Sequence, residues 1–206
     1  MYSIRGSLVL AFHGCDESVR DKIVSNPSQS LLPSKNSYDW LGNGIYFWEN
    51  DPKRALEYAK YLKTNPSRGK KKPIKKPSVI GAVINLGNCL DLVDSASLQL
   101  LKTGYEILKD TTENAEFDQL KNKPIGIEKE LLLRNLDCAV IETVCKVQSF
   151  KHRPFDSVRG VFFEGKEPYP NAGFKEKNHM QICIRNPNCI KGYFIPRSEN
   201  RNHIVP

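Results

Sequence analysis

The chain has no run of 18 consecutive apolar residues. A bilayer-crossing helix needs about that length, so no transmembrane helix is expected. The six cysteines, at 15, 89, 138, 145, 183 and 189, form no CxxC pair. Most of them fall inside apolar runs, which suits buried free thiols in a reducing cytoplasm. The four histidines, at 13, 152, 179 and 203, show no pair at ligand spacing, so no metal site is expected. No P-loop pattern occurs, and the GNG at 42–44 is too short for a dinucleotide fingerprint. The start, MYSIRGSLVLAFHGC, has an apolar run without a small-residue cleavage site. It reads as a first strand rather than a signal peptide. Internal repeats and dividing linkers are also missing, so one domain over 1–206 is expected.

What is present is a basic chain with enough apolar content for a core. Lysine plus arginine number 31 against 23 acids, a net charge of +8, and 39% of 206 residues are hydrophobic. That balance favours phosphate-rich partners without identifying one. Part of the excess sits in KTNPSRGKKKPIKKP, 63–77, which carries three prolines and no acid. Charge repulsion and proline both oppose regular structure, so a loop is expected there. It serves either as a solvated surface loop or as an arm contacting nucleic acid.

The pattern along the chain predicts an α+β fold. SLVLAFHG (7–14) reads as a central strand, followed by a helix capped at Asp16 with Val19, Ile23 and Val24 on one face. Residues 30–44 are turn-rich, and Asn50-Asp51-Pro52 opens a second helix. SVIGAVINLGNCLDL (78–92) reads as strand interrupted by glycine turns. Leu98, Leu101, Tyr105 and Leu108 recur at helical spacing, as do Leu132, Leu136, Val140 and Val144. RGVFFEG (159–165) is a strand, 166–178 a polar loop, and 179–196 two strands joined through Asn186-Pro187-Asn188.

Three separated strand ends carry the chemical interest: FHGC at 12–15, GNGIYFWEN at 42–50 and HMQICI at 179–184. Each alone fits ordinary packing. In this order they make the chain resemble the ADP-ribosyltransferases of the poly-ADP-ribose polymerase and diphtheria-toxin type. That family carries a histidine on the first strand, a tyrosine on the second and a glutamate, or a substitute, on a later one. The matching residues are His13, Tyr46 and Gln181. The likeness touches both ends of the chain and leaves the basic loop and much of 93–158 without a counterpart. It implies a split mixed β-sheet core with flanking helices.

By that resemblance the substrate is NAD, split between nicotinamide and its ribose. Tyr46 would offer a face to the flat pyridine ring, with Tyr58 on the next helix as a second platform. Gly14 would let its N–H and C=O clamp the carboxamide, and His13 would bind a ribose hydroxyl or phosphate oxygen. Cys15 stands where relatives often have serine, and a thiol is a weaker donor. Glutamine at 181 supplies a hydrogen bond but no full charge for the oxocarbenium-like transition state. Single-unit transfer is therefore expected instead of polymer formation.

Glu176 and Glu164 are candidate substitute carboxylates, each otherwise a solvated loop acid. Glu176 and His179 are candidates for the acceptor side. Asp16, Glu49 and Asp51 read as caps or turn residues. The resemblance implies mono-ADP-ribosyl transfer to a macromolecule, nucleic acid slightly ahead of protein, in a small bacterial toxin or phage-defence effector. An antitoxin would then be a partner; no membrane role is expected. The alternatives are an NAD glycohydrolase and a catalytically silent NAD- or RNA-binding module.

Overall fold

The computed structural model describes residues 8–66, 73–124, 131–199 and 202–203. The centre of the expected basic loop, 67–72, lies outside the described residues. The chain is an α+β structure built on a seven-stranded mixed sheet. In chain order it runs β1 (Leu8–Asp16), α1 (Glu17–Val24), β2 (Ile45–Glu49), α2 (Pro52–Thr64), β3 (Pro77–Asn85), β4 (Cys89–Asp91) and α3 (Ser95–Thr111). It continues with α4 (Asn114–Phe117), β5 (Asn122–Lys123), β6 (Leu133–Arg134), α5 (Asn135–Phe150), β7 (Ser157–Phe162), β8 (His179–Ile184) and β9 (Ile190–Phe194). A turn of 3₁₀ helix, Pro187–Cys189, joins the last two strands.

The strand order is β4-β7-β8-β2-β1-β3-β9. Only β4 and β7 pair in parallel; the other neighbours are antiparallel. Strands with a period of two give the sheet two distinct faces. On one face Ala11, Cys15, Ile45, Phe47, Ile80, Ala82, Ile84, Ile182 and Ile184 pack with Ile23 of α1 and Leu31. On the other, Val158, Phe162 and Cys183 pack with Ile141, Val144 and Cys145 of α5, while Phe12 and Trp48 pack with Ala55 of α2.

Local chemistry sets the helix starts. The Asp16 carboxylate accepts from Ser18 N, and Asp51 accepts from Arg54 N with Pro52 in the first helical turn. The last regular helix starts at Asn135, later than the Leu132 periodicity suggests. Arg134 is extended into β6, and the Asn122 side chain from β5 accepts from Leu136 N and Asp137 N. The strand expected over 159–165 is instead Ser157–Phe162. Its pairing with β8 ends at Phe162↔His179, and Gly165 at φ 89° turns the chain away.

β2 is fixed at both ends. Gly42 adopts φ 76° and Asn50 φ 53°, a left-handed region open to glycine and tolerated by asparagine. A Cβ at Gly42 would also lie 2.4 Å from the Glu142 carboxylate. Among the described residues, no helix is long and apolar enough to cross a membrane. Five of the six cysteines are buried.

Candidate functional site

β1 and β2 pair over only two positions, Ala11↔Glu49 and Phe12↔Trp48. Beyond them the strands part. The His13 ring enters the gap, with Nδ1 2.7 Å from the Tyr46 carbonyl oxygen. That carbonyl accepts from the imidazole instead of from a backbone N–H of β1.

The direction of the Gly14 peptide follows from alternation. Asn50 N donates to Leu10 O across the β1–β2 side, while Glu17 N donates to Lys76 O on the β3 side. β1 runs beside β3 without a break in register from Leu8 to Asp16. Even-numbered residues of β1 therefore aim N–H and C=O toward β2, and Gly14 aims both into the gap beyond the last pair. Its other side is closed: a Cβ there would meet the Ala55 carbonyl oxygen at 2.0 Å. Only glycine lets α2 lie this close to β1.

Tyr46 sits on the α5 side of the sheet. Its hydroxyl donates to Gly42 O at 2.6 Å and accepts from Leu41 N at 2.8 Å. Burial pushes the phenol well above its ordinary range. The tyrosine thus stays neutral and staples the turn that precedes its own strand. Glu142 holds the same turn by accepting from Asn43 N, and Arg185 pairs with Glu142 while donating to Asn43 O.

Gln181 lies directly across from Trp48 in the β2–β8 ladder, one pair from Tyr46↔Cys183. The three expected residues, His13, Tyr46 and Gln181, therefore come from adjacent strands. His179, two residues before Gln181, is buried. Its ring lies among Trp40, Trp48 and Phe162, at centroid distances of 6.2, 6.4 and 5.8 Å. Nδ1 is 2.7 Å from Lys177 O, and Nε2 is 3.0 Å from Gln181 Nε2.

Tyr58 leans on Trp48 at 5.1 Å and stacks with Tyr61 at 6.4 Å. Burial raises its phenol. Phe47 is core, with no exposed surface. Trp48 is 6% exposed, and its indole Nε1 is buried without a partner among the described residues, as is Arg54 Nε. A buried donor left unmade costs about 1–3 kcal/mol, so such a group points to a missing acceptor.

Cys15 faces the α1 side core with Ala11 and Ile23, away from Trp48. Its thiol is pushed up to about 11 by burial. Glu176 is exposed, and its N–H ties Lys166 O. Glu164 is closer to the chemistry: it pairs with Arg54 at 2.7 Å, and its charge acts on both His179 and Tyr58. Asp51 also acts on His179 while capping α2.

Glu49 is neither cap nor turn residue. It forms a two-bond fork with Arg159, at 2.5 and 3.1 Å. Arg159 reaches Asp91 at 3.1 Å on the far side. Arg54, Trp40, Glu142, Arg159 and Arg185 were not legible as partners, since cross-strand pairing depends on register. Only Arg54 left a signal, three residues after the Asp51 cap.

The chain is 28% identical over 200 residues to an uncharacterized protein of Methanocaldococcus jannaschii, covering 87% of this chain and 83% of that protein. No protein-family model matches the chain. No solved structure matches it.

Proposed function

We propose that the protein is an NAD-dependent mono-ADP-ribosyltransferase acting on a macromolecular acceptor, with nucleic acid favoured. The observation that carries this reading is the parted β1–β2 edge. There the Gly14 N–H and C=O face a gap shared with the His13–Tyr46 contact. An amide offers one donor and one acceptor side by side, and the Gly14 peptide edge offers the complementary pair.

In this reading the carboxamide of nicotinamide occupies the Gly14 edge, and Tyr46 and Tyr58 supply aromatic surface. Gln181, on the neighbouring strand, faces the ribose. Its carbonyl oxygen stabilises developing positive charge less strongly than a carboxylate would. Positioning of the donor and departure of neutral nicotinamide carry the rest of the rate enhancement. Glu164 is the carboxylate that could add charge, because it already acts on His179 and Tyr58. The split-sheet architecture of the diphtheria-toxin type belongs to the same proposal.

The net charge of +8 favours a polyanionic acceptor. The test is to incubate the purified chain with labelled NAD and separated cellular RNA, DNA and protein. We expect label on nucleic acid in single units, together with nicotinamide release. Tyr46→Ala loses donor binding, and Gln181→Ala mainly slows transfer. Full transfer by both variants would overturn the site, and label on protein alone would overturn the acceptor.

A further inference from the structure

We propose that His179 is a positioning residue for Gln181. It engages the amide nitrogen so that the carbonyl oxygen is turned away from the imidazole ring. The role of that oxygen toward a ribose rests on the function proposed above; the orientation itself rests on the contact geometry and on a neutral imidazole.

A primary amide is a two-ended group whose N and O sides differ in chemistry but hardly in shape. Nothing in the glutamine side chain decides which end faces the substrate. In this fold the decision comes from His179. Lys177 O can only accept, so Nδ1, at 2.7 Å, must carry a proton. In a neutral imidazole Nε2 is then an acceptor. The atom of Gln181 facing it at 3.0 Å must therefore be the NH₂ nitrogen. The amide oxygen points away from the ring, and no donor among the described residues engages it.

The surroundings hold His179 neutral. Burial among Trp40, Trp48 and Phe162 opposes the charged form, and the Arg54 charge adds to that. Asp51, Glu164 and the Lys177 carbonyl act in the opposite direction, and the balance lowers the imidazole below its usual value. Arg134 is a further cation nearby, stacked over the Trp40 and Phe162 rings at 4.5 and 4.9 Å.

Protonation of Nε2 reverses the arrangement. An imidazolium has two donors and no acceptor, so it repels the NH₂ and draws in the carbonyl. Gln181 then turns over and presents NH₂ hydrogens where the carbonyl oxygen had been, toward the positive charge that develops in the proposed reaction. Activity is therefore present above the His179 titration and lost as pH falls through it.

The test has an arm that needs no activity. Nitrogen-detected NMR of the imidazoles in the free protein should show His179 protonated on Nδ1 and titrating below pH 6.5, the unperturbed value. In Gln181→Glu the carboxylate can only accept, so Nε2 must gain a proton. The His179 titration should rise by about one pH unit or more. In Gln181→Met it should lose this dependence on its neighbour. A proton on Nε2 in the wild-type protein, or equal titrations in all three, would overturn the proposal.

The second arm is the pH profile of nicotinamide release. The wild-type acid limb should follow the His179 titration, and Gln181→Glu, whose two carboxylate oxygens are alike and present no NH₂, should lose that His179-linked limb. His179→Phe keeps a flat ring among the tryptophans and Phe162 but removes the acceptor. It should lower kcat about tenfold with little change in KM, and abolish the limb. His179→Gln, which restores an acceptor oxygen, should recover part of the loss. An unchanged acid limb in His179→Phe would overturn the proposal. If the NMR behaviour holds and the wild-type protein releases no nicotinamide, the orientation stands and the proposed function falls.

Discussion

On one side of the sheet Arg159 lies between Glu49 and Asp91; on the other, Trp48, Gln181 and His179 face α2. The two groups share strands β2 and β8, and both are largely buried, yet their hydrogen bonding differs. Arg159 uses Nε, Nη1 and Nη2 on two carboxylates and the Met180 sulfur. Those contacts outweigh desolvation and raise its pKa above the ordinary arginine value. Across the sheet, among the described residues Trp48 Nε1 has no partner, and Gln181 uses its amide nitrogen on His179 while its oxygen is not engaged. A buried polar cluster whose valences are filled holds strands together. One with donors and acceptors left over has the composition of a site waiting for a ligand.

The comparison is broken most sharply at Arg159. Arg159→Met leaves Glu49 and Asp91 buried without their cation, and should cost about 3–5 kcal/mol in urea denaturation. A loss under 1 kcal/mol would mean that this side is not the structural one. Gly14→Ala comes next. The new methyl meets the Ala55 carbonyl at 2.0 Å, so α2 must lift from β1 at about 1–3 kcal/mol. Calorimetry with NAD should show weakened binding in the same variant.

Gln181→Met sharpens the contrast from the other side. It removes one hydrogen bond from a residue of similar size, so stability should fall by about 1 kcal/mol or less. Nicotinamide release should fall about a hundredfold. A large stability loss with normal release would reverse the two assignments.

The smallest effect is expected at Asp16, outside both clusters. Hydrogen bonds from Ser18, and from the Lys76 and Lys75 backbone, hold its carboxyl well below the usual range. A depressed folded pKa gives stability that is present above the unfolded value of about 3.9 and lost as pH falls below it, through the folded value. Asp16→Ala should cost about 1 kcal/mol at pH 7, with the difference from wild type shrinking toward pH 2. Thermal melts across that range check it.

Much of the fold was legible because its signals are local. Asp16 and Asp51-Pro52 announce helix starts by chemistry that acts within three residues. The Asn186-Pro187-Asn188 turn separates two apolar runs in plain view. The small β5–β6 pair was not legible, because two-residue strands leave no period to read. Within the site, His13, Tyr46 and Gln181 were named from the order of their motifs, and the fold brings their strands side by side. What their neighbours do could not be read. Glu49 looked like a turn acid because nothing local says that Arg159, 110 residues later, stands across the sheet. His179 looked like an acceptor-side residue, since its ties to Lys177 and Gln181 exist only once β8 is formed.

The left-handed residues at either end of β2, Gly42 and Asn50, leave this five-residue strand no room to slide. Losing or gaining one residue between them would not nudge the site. It would send the indole of Trp48 toward the arginine and the Glu49 carboxylate toward α2, exchanging the sheet's two sides at a stroke. Descendants of this sequence can therefore change the length of the loops beyond those two hinges, but the spacing between them is inherited whole or not at all.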